Sequence, residues 1–131
     1  MDFLSVFAAA LAAFILGSIW YMALSDAWMK ASNVPLDEEG QPEGGPKISV
    51  FAIGFVLQLI VAGMMRHIFA SSGVETPGAG IVAGAGIGLF FISPWIALNN
   101  MYSQRPYQLT MIDGGYATMA CAVMGAVLTL L

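Results

Sequence analysis

The chain has 131 residues, of which 59% are hydrophobic and only 9% are charged, whereas about 25% of residues are charged in ordinary soluble domains. Its formal net charge is -4, so it lacks the basic surface that nucleic-acid binding needs. A single cysteine, Cys121, and a single histidine, His67, exclude an intramolecular disulfide and a Cys/His zinc site. The composition indicates an integral membrane protein, and we expect no metal, no cofactor and no nucleic-acid partner.

Four stretches are apolar and long enough to cross a bilayer as helices: 3–24, 48–70, 79–98 and 107–130. A bilayer core of about 30 Å needs about 20 such residues, because every backbone amide must be paired inside it. The first stretch follows the acidic Asp2 and is longer than the apolar region of a signal peptide, so we interpret it as a retained helix. The sequence predicts an all-α, four-helix transmembrane bundle in one domain, 1–131.

The stretch 25–47 is rich in acidic residues, proline and glycine, including Gly45 and Pro46. This composition is typical of a flexible, solvated loop, which we place between the first and second helices. The other two connections, 71–78 and 99–106, are short. Short connections join antiparallel neighbours, so we expect an up-down-up-down arrangement.

The distribution of basic residues favours one orientation in the membrane. Lys30, Lys47 and Arg105 fall on one side of the predicted bundle, whereas Arg66 falls on the side of the termini. Basic residues are enriched in cytoplasmic loops. We therefore expect loop 25–47 to be cytoplasmic and both termini to be periplasmic.

Aromatic side chains gather where the first helix ends and around the third connection. They are Trp20, Tyr21, Trp28, Trp95, Tyr102 and Tyr107. Such rings either anchor the protein at the membrane interface or, if they converge inside the bundle, form the wall of an apolar ligand site.

Two polar features mark the second and third helices. Gln58 lies in the middle of the second helix, where a buried amide either holds helices together or lines a hydrated cleft. Pro94 removes one backbone hydrogen bond near the end of the third helix, and the neighbouring Ser93 can satisfy a freed carbonyl. The resulting kink either shapes a cavity or is an ordinary bend near the interface.

Glycines recur at helical spacing on the first, third and fourth helices. Gly80, Gly84 and Gly88 form two overlapping G-x-x-x-G motifs, and Gly17 and Gly114 belong to similar small-residue stripes. Small residues let helices approach closely, either within one bundle or between copies of the chain. The sequence does not say which helix each stripe meets.

Asp113 is the only acid inside a predicted span, about 9 Å from the helix start at 1.5 Å per residue. An acid there is either stabilised by the helix dipole or lies on a path for a proton or solute. Asn99 and Arg105 belong to the same membrane side and could pair with it. The sequence carries no nucleophile motif, phosphate-binding loop or zinc-protease motif, so we expect no catalytic residues and no enzymatic activity.

The run Gly17-Ser18-Ile19-Trp20-Tyr21, followed by Ala27-Trp28-Met29-Lys30, resembles a family of small four-span bacterial membrane proteins known only as a domain of unknown function. The resemblance extends over nearly the whole chain. It includes the glycine-rich third helix and the opening of the fourth helix, Ile112-Asp113-Gly114-Gly115-Tyr116. The resemblance implies a bacterial inner-membrane protein with four spans, and it implies no activity, substrate or catalytic residue.

Three functional interpretations follow. The first is binding of a lipid-like or small apolar ligand, or of a membrane-protein partner, at Trp20, Tyr21, Trp95, Asn99 and Asp113. The second is a small homo-oligomeric transporter or channel, with Gln58, Pro94 and Asp113 lining the path. The third is an accessory subunit of a larger membrane complex. Membrane lipids are expected partners in all three.

Overall fold

The computed structural model describes residues 3–44 and 47–131, and this part of the chain is helical without a β-strand. The elements are α1 (Phe3–Ala23), α2 (Ser25–Ser32), α3 (Ile48–Ser72), α4 (Pro77–Ile87), a π-helical segment (Gly88–Ile92), α5 (Ser93–Tyr102) and α6 (Tyr107–Leu130). Asp2, Gly45 and Pro46, which entered the predictions above, lie outside the described residues.

Four helices are long and apolar enough to cross a membrane: Phe3–Ala23, Ile48–Ser72, Pro77–Tyr102 and Tyr107–Leu130. The prediction of four long apolar helices is therefore confirmed. The third span combines α4, the π segment and α5, and it begins earlier than predicted. Pro77 occupies the first turn, and the Thr76 hydroxyl caps it by accepting a hydrogen bond from the Ala79 amide at 3.2 Å.

The interpretation of 25–47 as a loop throughout is wrong over Ser25–Ser32, which forms α2. This helix exists because its apolar side has a partner: Ala31 is buried in a small cluster with Leu109 and Ile112 of α6. Asn33 ends the helix in a left-handed conformation at φ 55° and donates its backbone N–H to the Met29 carbonyl.

Helix α6 lies at the centre of the molecule and packs against α1, α4, the π segment and α5. The closest approach involves the glycines of the third span. A Cβ atom added at Gly84 would meet the backbone carbonyl of Cys121, and one added at Gly88 would lie 2.5 Å from the Cα of Thr118. Backbone therefore packs directly on backbone along this seam, which is the contact that small residues permit between membrane helices.

Helix α3 packs mainly on α1 and only slightly on α6. The buried Ala9 and Ala13 of α1 belong to one core with Ala62 and Met65 of α3. Large apolar side chains on the outer faces remain exposed, as shown by Ile60 at 62%. Exposed aliphatic faces on helices of this length are suited to contact with lipid.

Candidate functional site

A cleft with a volume of about 380 Å³ lies between α3 and the third span. Helix α6 forms its floor with Asp113, Tyr116, Ala117, Ala120, Cys121 and Met124. The walls carry Gln58 and Val61 from α3, and Ile92 and Ile96 from the third span, with Tyr21 contributed by α1. The cleft thus combines a mostly apolar surface with four polar side chains, those of Tyr21, Gln58, Asp113 and Tyr116.

The end of α1 is fastened to the start of α6 by two side chains. The Trp20 indole Nε1 donates to the Ile112 carbonyl at 3.1 Å, and the Tyr21 hydroxyl donates to Asp113 Oδ1 at 2.6 Å. The Trp20 ring also covers Gly115, where an added Cβ would lie 3.0 Å from it. Two of the three runs quoted for the family resemblance, 17–21 and 112–116, therefore contact each other across the α1–α6 interface.

Tyr116 links three helices through its hydroxyl. The hydroxyl donates to the Ala13 carbonyl of α1 at 2.6 Å and accepts from Gln58 Nε2 of α3 at 2.6 Å. Gly17 makes this geometry accessible, because a Cβ at that position would lie 2.7 Å from the Tyr116 hydroxyl oxygen. The Tyr21 ring stacks edge-on against the Tyr116 ring, with centroids 5.4 Å apart.

The hydrogen-bond network determines how the Gln58 amide is oriented. A tyrosine hydroxyl has one proton, and that of Tyr116 is donated to Ala13. The amide must therefore turn its nitrogen toward Tyr116. As a consequence Gln58 Oε1 is buried and has no hydrogen-bond partner in the described part of the molecule.

The π segment positions the wall that the third span contributes. The Ser93 N–H donates to the Gly88 carbonyl, one residue further back than in an α-helix, immediately before the proline at position 94. The Ser93 hydroxyl oxygen lies 2.7 Å from the Gly88 carbonyl oxygen and 2.9 Å from the Gly114 carbonyl oxygen of α6. Because a hydroxyl has a single proton, it donates to only one of these two carbonyls at a time. The third span thus forms a π turn just before Pro94, and the Ser93 hydroxyl in this region bonds the span to α6.

The structure brings together only part of the predicted ligand site. Tyr21 and Asp113 are bonded to each other and line the cleft. Trp20, which bonds to the Ile112 carbonyl, does not line it, and neither do Trp95, which is 65% exposed, and Asn99, which is also exposed. Ile92 and Ile96 occupy the face of the third span that lines the cleft.

The predicted path residues are also divided. Gln58 and Asp113 line the same cleft, whereas Pro94 is exposed and lies outside it. Asp113 is bonded to Tyr21, not to Asn99 or Arg105, which the sequence offered as partners.

Gly114, which the sequence placed in a helix-packing stripe, lies next to Ser93 of the third span. A Cβ added at Gly114 would lie 3.0 Å from the Ser93 hydroxyl oxygen.

Tyr116 is the site residue that sequence reasoning missed. It follows Asp113 by three positions on α6, a spacing that places two side chains on one helix face. The spacing could have identified Tyr116 as a neighbour of Asp113, but nothing in the sequence indicated its bonds to α1 and α3.

Comparison with known proteins gives one positive result. No curated protein and no solved structure matches the chain. A family model matches residues 4–129, which is almost the whole chain and includes every residue of the cleft. The chain therefore belongs to the family described as "Protein of unknown function (DUF1761)".

Proposed function

We propose that this multi-pass membrane protein acts without catalysis, by binding a lipid-like or small, mostly apolar molecule in the cleft between α3 and the third span. The observation that carries the proposal is the composition of the cleft. Its volume of about 380 Å³ is comparable to that of small-molecule sites, which are concave, mainly apolar and supplied with a few polar groups. Here the polar groups are Tyr21, Gln58, Asp113 and Tyr116.

The position of the cleft supports a ligand that arrives from the bilayer. Its walls are formed by apolar residues such as Val61 and Ile92, and the neighbouring Ile60 and Phe91 are 62% and 74% exposed. A molecule dissolved among the lipid chains can reach such a cleft sideways, without leaving the apolar phase.

We further propose that the chain forms one membrane domain whose four spans alternate in direction. Contacts with α6 support this. Tyr21 meets Asp113 and Ala13 meets Tyr116, so α1 runs antiparallel to α6. Gly80 approaches Gly125 and Gly88 approaches Thr118, so the third span also runs antiparallel to α6. Placement in a bacterial inner membrane, with 25–47 cytoplasmic and the termini periplasmic, rests on the family resemblance and on the distribution of basic residues.

A transport role is the second candidate, because two polar residues inside the spans, Gln58 and Asp113, line the same cleft. Four helices rarely enclose a route alone, so this function requires assembly of several copies. An accessory role in a larger complex instead requires another membrane protein as the partner.

Native mass spectrometry of protein released gently from membranes tests these functions together, because it measures subunit number and any retained small mass. The binding function predicts a monomer or oligomer that carries a small molecule of defined mass. An oligomer without such a mass would favour transport. A bare monomer would contradict the binding function and favour the accessory role.

A pair of matched variants identifies the site. Ala117→Leu places extra volume in the cleft, whereas Ala52→Leu makes the same change on an exposed position of α3. We expect the retained mass to disappear in the first variant and to persist in the second. Retention of the mass by both variants would place the ligand elsewhere.

A further inference from the structure

We infer that the cleft selects amphiphiles whose polar head is a protonated amine, bound by the Asp113 carboxylate, with the apolar chain along α6. This inference rests on the proposed function, because it names the ligand class of the same site. It follows from which hydrogen-bonding groups at the polar end of the cleft are already engaged and which are not.

The donors at this end of the cleft are directed to protein acceptors. The Tyr21 hydroxyl donates to Asp113, the Tyr116 hydroxyl donates to Ala13, and Gln58 Nε2 donates to Tyr116. The two tyrosine hydroxyls therefore have no proton left for a ligand that needs donors, such as a carboxylate or a phosphate, and Gln58 Nε2 has one of its two N–H groups engaged.

The acceptors, in contrast, have spare capacity. An ionised carboxylate offers about four lone-pair sites, and the described structure gives Asp113 one hydrogen bond, from Tyr21 to Oδ1. Arg105 is exposed and forms no ion pair with it among the described residues. Gln58 Oε1 is a second acceptor without a donor.

A protonated amine matches this arrangement in both hydrogen bonding and charge. It brings three N–H donors, no acceptor and one positive charge, whereas Asp113 is the only acid among the residues that line the cleft. An alcohol brings a single neutral donor, and a carboxylate brings a charge of the wrong sign.

The rest of the cleft suits an alkyl chain. Ala117, Ala120, Cys121 and Met124 continue the floor beyond Tyr116. From Asp113 to Met124 the helix rises about 16 Å at 1.5 Å per residue. An extended chain can therefore lie along α6 while its head reaches the carboxylate.

The experiment compares decylamine, decanol and decanoate, which differ in the head group. Binding to the full chain is measured by isothermal titration calorimetry in phosphatidylcholine nanodiscs, with empty nanodiscs subtracted. We expect decylamine to bind about tenfold more tightly than decanol, the margin of a charge-assisted over a neutral hydrogen bond, and decanoate to bind most weakly.

Variants assign the preference to the carboxylate. Asp113→Asn keeps an oxygen that accepts from Tyr21 but removes the charge, so the preference for decylamine over decanol should vanish. Glu75→Gln removes the same charge from an exposed residue of the connection between α3 and α4 and should keep the preference. Asp113→Ser also removes the charge, so it should likewise abolish the preference, and it serves if Asp113→Asn does not fold.

The outcomes separate this inference from the proposed function. Equal binding of decylamine and decanol, or an amine preference that survives Asp113→Asn, would overturn the inference while leaving a binding cleft. Failure of all three probes to bind would overturn both.

Discussion

Removal of the Tyr116 hydroxyl tests the interhelical network most directly. The change Tyr116→Phe keeps the ring that packs against Tyr21, but it deletes the bonds to Ala13 and to Gln58. The Gln58 side chain, whose Oε1 already lacks a partner, then has no partner at either end of its amide.

The expected loss can be estimated from these contacts. An interhelical hydrogen bond in a membrane protein contributes about 0.6 kcal/mol on average, and up to about 1.7 kcal/mol. Leaving a buried polar group unpaired costs about 1–3 kcal/mol. We therefore expect Tyr116→Phe to lower the free energy of unfolding by about 2 kcal/mol.

A second change in the same background distinguishes the unpaired amide from general loss of packing. Replacing both partners of a hydrogen bond by apolar groups is nearly neutral, so adding Gln58→Leu to Tyr116→Phe should recover most of the lost stability. Tyr107→Phe is the matched control, because Tyr107 also lies on α6 and is 70% exposed. We expect this control to leave stability unchanged.

Reversible unfolding in mixed micelles, with increasing dodecyl sulfate and far-ultraviolet circular dichroism as the signal, measures all four proteins. The reasoning is refuted if Tyr116→Phe unfolds like the original chain. It also fails if the double variant is less stable than Tyr116→Phe alone, since the amide would then not be the source of the cost.

Three further predictions use the same unfolding assay or a labelling assay. Gly84→Ala should destabilise by about 1–3 kcal/mol, because the new Cβ meets the Cys121 backbone, whereas Gly86→Ala has open space and should not destabilise. Gly17→Ala should displace the Tyr116 hydroxyl, so its effect and that of Tyr116→Phe should not add. The thiol of Cys121, which is 1% exposed, should react with a maleimide more slowly when decanol occupies the cleft.

Each of these predictions has a clear contrary result. Equal stability of the two alanine variants would mean that the glycine seam tolerates a side chain. If the losses in free energy of unfolding for Gly17→Ala and Tyr116→Phe add, the two positions contribute to stability independently of each other. A labelling rate that decanol does not change would remove the cleft as its binding site.

Much of the fold was predictable, because hydropathy is a local property. A run of about 20 apolar residues is sufficient to indicate a span, so the four spans were predicted to within a few residues at most ends. Helix α2 was missed because its stability comes from burying Ala31 against α6, a contact that composition does not reveal. The π segment was missed for a related reason, since Pro94 predicted a disturbance but not its form.

The candidate site was predicted less completely, for a geometric reason. Tyr21, Gln58 and Asp113 were recognised by residue type and position, whereas Trp20 and Trp95 lie outside the cleft and Trp95 is 65% exposed. In a nearly uniform apolar helix the sequence gives little indication of which side faces inward. Residue type alone could not separate an interfacial ring from one that lines a cleft.

The sequence by itself determined that this chain has four apolar helices, few charges and glycine stripes, because each of these properties belongs to single residues or to short runs. Only the tertiary structure decided which polar groups meet. Tyr116 bonds to Ala13 and Gln58, which are 103 and 58 residues away in the chain. Such pairs depend on the rotation of each helix about its axis, and that rotation is set by how the helix packs against its neighbours, as α1 does against α3 and α6.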